Sequence, residues 1–206
     1  MLYPHARILI FAKAPEPGYA KTRLIPALGE AGAADLYRRL LRRTVERACA
    51  AVLCPVQLWC APDADHPFFR RLASENPLAL HPQTEGDLGA RMHHAAGEAL
   101  RQARTVLLIG TDCPLLGEAH LSRALQWLEQ GEDAVLGPAE DGGYVLLGLS
   151  RNAPELFCDM PWGQGVLLEA TRSRLEALGW RWRELETLWD LDRPADIGRW
   201  ERVRGR

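Results

Sequence analysis

The chain alternates short, almost continuous apolar runs with longer stretches in which apolar residues recur every three or four positions. The short runs are 7–12, 56–61, 105–109, 133–137 and 144–149, with 180–186 and a brief 78–81 as weaker members. Such runs, bounded by Gly, Pro or Asp, predict strands buried on both faces. The periodic stretches predict helices over 30–51, 88–103, 118–130, 165–178 and 195–203. In the first, Ala34, Leu36, Leu40, Leu41 and Val45 gather on one side, while Arg38, Arg39, Arg42, Arg43 and Arg47 crowd the other. Alternating strand and helix predict an α/β fold with a mostly parallel central sheet and helices on both faces. Only 138–143 separates the runs at 133–137 and 144–149, which leaves no room for a crossover helix. There the two strands either run antiparallel or form offset parts of the sheet.

A length of 206 residues suits one domain, 1–206, with a sizeable core. Composition adds exclusions. The net charge of −2 argues against a general nucleic-acid or membrane surface, so any anion binding must be local. The five arginines of the first helix read as a solvated face near Asp35 and Glu46. Five cysteines without a Cys-x-x-Cys pair argue against a zinc site or a disulfide framework. Cys49, Cys54 and Cys60 read as small core residues, and Cys113 as part of a tight turn. With no leader-like apolar segment and no run of transmembrane length, the expectation is a cytoplasmic enzyme.

Five motifs carry candidate chemistry. Residues 11–24, Phe-Ala-Lys-Ala-Pro-Glu-Pro-Gly-Tyr-Ala-Lys-Thr-Arg-Leu, form a loop after the first strand. Lys13, Lys21 and Arg23 offer point charges and a bidentate fork for phosphate, and Gly18 exposes backbone N–H groups. The spacing is not that of a Walker A loop, and no Gly-x-Gly-x-x-Gly occurs. Residues 86–92, Gly-Asp-Leu-Gly-Ala-Arg-Met, read as a turn into a helix, with Asp87 as N-cap and Arg91 within reach of a ligand. Gly110-Thr-Asp-Cys-Pro114 ends a buried strand, the place where open α/β sheets bind ligands. Asp112 there suits a divalent cation. In Pro138-Ala-Glu-Asp-Gly-Gly-Tyr144, Gly142 and Gly143 let substrate lie against the main chain. Asp141, ahead of Glu140, is the candidate for orienting or deprotonating an acceptor. Leu188-Trp-Asp-Leu-Asp-Arg-Pro-Ala-Asp196 offers Asp192 as a helix cap or second metal carboxylate, with Asp190 as the rival ligand and Asp196 as a first-turn charge. Trp162, among Gly and Pro, suits a stacking wall for a base or sugar. Trp127, Trp180, Trp182 and Trp200 read as packing residues.

In their order and spacing these motifs resemble the GT-A-like nucleotide-diphospho-sugar transferase superfamily, and within it the DUF2064 family. That family is also called selenodomain-associated transferase 1 and is linked to arsenosugar biosynthesis glycosyltransferases. The layout is also similar to that of molybdopterin and 2-phospho-lactate guanylyltransferases. The resemblance implies a Rossmann-like GT-A fold and a transferase that uses Mg²⁺ or Mn²⁺. Its partners would be a nucleotide-sugar or nucleotide and a small-molecule acceptor. Lys21 and Arg23 would hold phosphates, and Asp112 and Asp192 the metal. Two activities follow: glycosyl transfer from a nucleotide-diphospho-sugar or, alternatively, nucleotidyl transfer from a triphosphate with release of pyrophosphate. A nucleotide-sugar binding protein without turnover is the third class. The chain departs from the pattern in lacking a Gly-Gly-x-Gly-rich first loop and in carrying Gly163-Gln164-Gly165 where a Ser-Thr pair is expected.

Overall fold

A computed structural model describes residues 1–203. Strand β1 (Ala6–Lys13) lies near the centre of a seven-stranded sheet with β2 (Val56–Ala61), β3 (Leu78–Pro82), β4 (Thr105–Ile109), β5 (Ala134–Pro138), β6 (Tyr144–Leu149) and β7 (Trp182–Glu184). The order is β3-β2-β1-β4-β6-β5-β7. Strand β6 runs antiparallel to β4 and β5, and every other pair is parallel. The short 138–143 connection therefore makes a hairpin, the first of the two arrangements expected.

The helices are α1 (Ile25–Ala50), α2 (Pro67–Glu75), α3 (Leu88–Leu100), α4 (Glu118–Glu129), α5 (Leu167–Ala177) and α6 (Ile197–Val203). One face of the sheet packs Tyr37, Leu41 and Val45 of α1, Phe69 and Leu72 of α2, and Leu121 and Leu125 of α4. The other face packs Met92, Ala95 and Ala96 of α3 with Leu168 and Leu175 of α5. A third cluster joins Leu36 and Leu40 of α1 to Trp189, Leu191 and Trp200. It is this cluster that docks the C-terminal segment onto α1 and carries residues 188–192 to the strand ends.

Most element boundaries fall within one to three residues of the sequence expectation. Helix α1 starts earlier, at Ile25, because Pro26 is tolerated in a first turn, and the helix kinks at Gly29 (φ 68°, ψ 168°). Helix α2 escaped the pattern because only Phe69 and Leu72 of its nine residues are buried; His66 caps it and Pro67 starts it. Strand β7 is shorter than 180–186 because only Trp182–Glu184 pair with β5. The arginine face of α1 is less solvated than expected: Arg42 pairs with Glu75, and Arg47 donates to the carbonyls of Pro114 and Leu116. Cys54 and Cys60 are buried core residues as expected, Cys49 is only half-buried against the core, and Cys113 is buried in its turn. Among the described residues no helix is long and apolar enough to cross a membrane.

Candidate functional site

The chain leaves β1 toward β2 and β3, then returns to place β4 on the other side of β1. That reversal is a topological switch point, and the carboxyl ends of β1 and β4 open there into a crevice. A cavity of about 520 Å³ fills it, lined by Lys13, Lys21, Arg23, Arg91, Asp112 and Asp192 among others. The structure thus gathers four of the predicted cations and both predicted metal carboxylates around one space.

Lys21 is the hub. It adopts the left-handed conformation (φ 54°, ψ 40°), which costs a non-glycine residue about 1–3 kcal/mol. The turn aims the side chain inward, where it is only 3% exposed. Its Nζ lies 2.9 Å from Asp112 Oδ2 and 3.9 Å from Asp192 Oδ1, and it donates to the Leu191 carbonyl. Arg23 Nη1 binds Asp192 Oδ2 at 2.5 Å from the solvent side. The Leu191 N–H donates to the Asp112 carbonyl at 2.8 Å, so the C-terminal segment is stitched to the end of β4 by main chain as well.

Asp192 is not a helix cap. Instead, Asp196 Oδ2 accepts from the N–H groups of Asp192 and Arg193, which leaves the Asp192 carboxylate free to face Lys21 and Arg23. Asp190, the rival ligand, is half-buried, and its carboxyl is pushed up to about 7 by desolvation and then by the charge of Asp112, with Lys21 opposing. It therefore titrates near neutrality rather than standing as a fixed anion, whereas Asp192 points at the cations. Among the described residues no group of three or more His, Cys, Asp or Glu side chains forms a metal cage. Two carboxylates and a carbonyl do, however, converge on one cation, the Lys21 ammonium. They fit a divalent ion whose remaining ligands are water and phosphate oxygens, the habit of Mg²⁺ in nucleotide sites.

The remaining predicted residues divide between two neighbouring spaces and the framework. Asp141 lines a second cavity of about 460 Å³, which shares Arg23 and Asp192 with the first. Its Oδ1 accepts from Gly143 N at 2.9 Å. Glu140 is tied to Arg199 at 2.7 and 2.9 Å, which holds its carboxyl below the usual range. Gly18 turns the loop (φ 76°) without lining the large cavity. Gly142 and Gly143 line none of these spaces; Gly142 is a packing contact, since a Cβ there would sit 1.9 Å from the Gly165 carbonyl oxygen. Arg91 is anchored by its Nε to Gly86 O, and Asp87 caps α3 through Ala90 N. Trp162 lies apart from the phosphate-sized cavity and walls a smaller apolar one.

Sequence reasoning missed Tyr37 and Gln83. The Tyr37 hydroxyl accepts from Lys13 N at 2.9 Å and from Thr111 Oγ1 at 3.3 Å, joining the ends of β1 and β4. Burial, helped by the Asp112 charge, raises its pKa and keeps the phenol neutral. Gln83 donates from Nε2 to the carbonyls of Ala12 and Trp59 and closes the outer wall. Tyr37 reads as core in the helical period; a polar tip on an apolar face was the available signal. The Cys113 thiol is pushed up to about 12, chiefly by burial, consistent with a turn residue and not a nucleophile.

The profile of the family DUF2064, described as an uncharacterized protein conserved in bacteria, matches residues 44–164. A solved structure from Desulfovibrio desulfuricans G20, named a "putative nucleotide-diphospho-sugar transferase", is 33% identical. It aligns over 92% of this chain and 83% of its own, with a TM-score of 0.83. The fold is shared with 4-diphosphocytidyl-2C-methyl-D-erythritol synthase from Anaerococcus prevotii DSM 20548 (9% identity, 98% and 97% coverage, TM-score 0.65). It is shared too with glucosyl-3-phosphoglycerate synthase from Mycobacterium tuberculosis, solved with Mn²⁺, uridine diphosphate and glucosyl-3-phosphoglycerate (14%, 97% and 76%, TM-score 0.56). No match was found among curated proteins.

Proposed function

This chain belongs to the DUF2064 family, and from that membership and the site geometry we propose that it transfers a glycosyl group from a nucleotide-diphospho-sugar to a small-molecule acceptor. It is a transferase; the observation that carries the finer reading is the Lys21 ammonium held between Asp112 and Asp192 at the switch point. Lys13, Lys21, Arg23 and Arg91 receive the diphosphate in the large cavity. Asp112 and Asp192 would hold Mg²⁺ or Mn²⁺, which supplies neutralisation of the charge growing on the departing diphosphate.

In the transfer the acceptor oxygen forms a bond to the anomeric carbon. The bond from that carbon to the diphosphate oxygen breaks, and the nucleoside diphosphate leaves with the electron pair. Asp141 takes the acceptor's proton from the adjoining cavity, where, unlike its neighbour Glu140, it is not committed to an arginine fork. The neutral Tyr37 phenol and Thr111 keep the two strand ends at fixed spacing while charge moves.

Nucleotidyl transfer is the second reading, favoured by the four cations around one cavity, enough for a triphosphate. A thermal-shift panel of nucleoside diphosphates, triphosphates and nucleotide-sugars, with and without Mg²⁺ or Mn²⁺, separates the two. Metal-dependent stabilisation by a diphosphate and its sugar conjugate supports glycosyl transfer. Selective stabilisation by one triphosphate, with pyrophosphate released on adding acceptor, supports nucleotidyl transfer. No shift with any of them defeats both. Asp112→Ala should leave the fold intact and abolish metal-dependent turnover; retained turnover with the same metal dependence refutes the role of Asp112.

A further inference from the structure

Parts of three motifs that the phosphate site does not use, Gly89, Gly142 and Trp162, meet in one wall. The segment 158–166 carries Trp162 and is pressed into place at two points. At one, α3 presents Gly89, where a Cβ would lie 2.2 Å from the Phe157 carbonyl oxygen and 2.9 Å from Trp162 Nε1. At the other, Gly142 (φ 84°) meets the Gly165 carbonyl so closely that no side chain fits, and its own carbonyl accepts from Leu168 N at 2.9 Å. Gly89 thus packs directly on the Trp162 indole, and Gly142 fixes the same segment three residues on, at Gly165. The indole is a built wall, not a loop side chain at rest on the surface.

Behind it is a cavity of about 170 Å³, bounded by Met92, Leu108, Val145, Trp162 and Leu167. The two polar side-chain atoms of this wall, Tyr144 Oη and Trp162 Nε1, are buried with no hydrogen-bond partner, and neither reaches the surface of the cavity. The space meets the phosphate-sized cavity at Phe11, Leu88 and Gly110, two residues before Asp112. Its size is that of a single ring: an apolar cavity of about 150 Å³ takes benzene. A hexose or a nucleobase would bring polar edges into it and lose their water without a partner. The large cavity, with its cations, is the place for the nucleotide.

We propose that this cavity seats a ring-sized apolar group of the acceptor, so that the acceptor is a compact aryl- or branched-alkyl-bearing alcohol. The proposal rests on the transferase reading above and adds the chemical class of its second substrate. Trp162, Met92 and Leu167 are then specificity-determining residues.

Fluorine NMR on the intact chain tests it, with 4-fluorobenzyl alcohol and 4-deoxy-4-fluoro-D-glucose as probes. The aryl alcohol is expected to bind at least tenfold more tightly than the fluorosugar. Leu167→Trp, which fills the space from the first residue of α5, should weaken the aryl alcohol at least tenfold and leave nucleoside diphosphate binding unchanged. Equal or tighter binding of the fluorosugar overturns the proposal. So does undiminished aryl binding in folded Leu167→Trp, or displacement of the aryl alcohol by a nucleotide-sugar but not by its nucleoside diphosphate, since the space would then belong to the donor. Should Leu167→Trp not fold, the comparison of the two probes on the unaltered chain still decides. Nucleotides that bind while the aryl alcohol does not overturn this inference alone. An aryl alcohol that binds where no nucleotide does removes the transferase reading and the acceptor assignment with it.

Discussion

Replacing Lys21 by methionine removes the cation that now lies between Asp112 and Asp192 while keeping a side chain of similar length. At the observed 2.9 and 3.9 Å, and an effective dielectric constant of about 20, the gross attractions are about 6 and 4 kcal/mol. Most of this is offset. The ammonium is almost fully desolvated, and Asp112, at 41% exposure, is screened by water. A charged hydrogen bond of this kind retains about 1.5–3 kcal/mol net. A divalent ion entering between the carboxylates must displace the ammonium, so Lys21→Met should bind Mn²⁺ roughly 10- to 100-fold more tightly in the absence of nucleotide. In the unaltered chain a nucleoside diphosphate gives the ammonium a new anionic partner, so Mn²⁺ affinity should rise when nucleotide is present. In Lys21→Met that coupling should shrink, and turnover should fall. Titration calorimetry with Mn²⁺, with and without nucleoside diphosphate, reads both quantities. A thermal melt checks the fold, with a loss of several degrees expected because the Leu191 carbonyl loses its donor. Mn²⁺ affinity that is unchanged or lower in folded, nucleotide-free Lys21→Met refutes the competition argument.

Two further outcomes follow from burial and close packing. Gly142→Ala puts a methyl group on the Gly165 carbonyl at a positive φ, and should lower stability by about 2–4 kcal/mol and Tm by roughly 5–15 °C; a melt within a degree of the unaltered chain refutes the contact. Asp190 has its folded pKa raised from 3.8 to about 7, so its protonated form contributes stability that is full below the unfolded value and is lost as pH rises through about 7. Asp190→Asn should therefore be more stable than the unaltered chain at pH 8, on the order of a few kcal/mol, and the gain should vanish near pH 4. Parallel pH–stability curves for the two proteins in urea melts would contradict the raised pKa of Asp190.

Much of the scaffold was legible one residue run at a time. Strands β2, β4 and β6 are read to the residue because a strand buried on both faces needs apolar side chains at nearly every position. Asp87 was legible as a cap because a cap is a contact three residues long. The loop 11–24 and Asp112 announced a polar site because each follows a buried strand and cannot continue it. Helix α2 was hidden for the converse reason, having too few buried positions to write a period.

Which of these pieces meet depends on packing between distant segments. Lys21 touches the Leu191 carbonyl across 170 positions of sequence, and it does so because Trp189, Leu191 and Trp200 bury themselves against α1. No local rule weighs that docking, because its favourable energy comes from apolar area shared between distant segments. The choice between Asp190 and Asp192 was open for the same reason: both are aspartates two positions apart, and only packing raises the pKa of one and turns the other toward Lys21 and Arg23. Local patterns of residues were enough for the strands, the cap and the charges on offer. Their pairing, the raised pKa of Asp190 and the apolar space under Trp162 depend on long-range burial, which is a property of the folded chain.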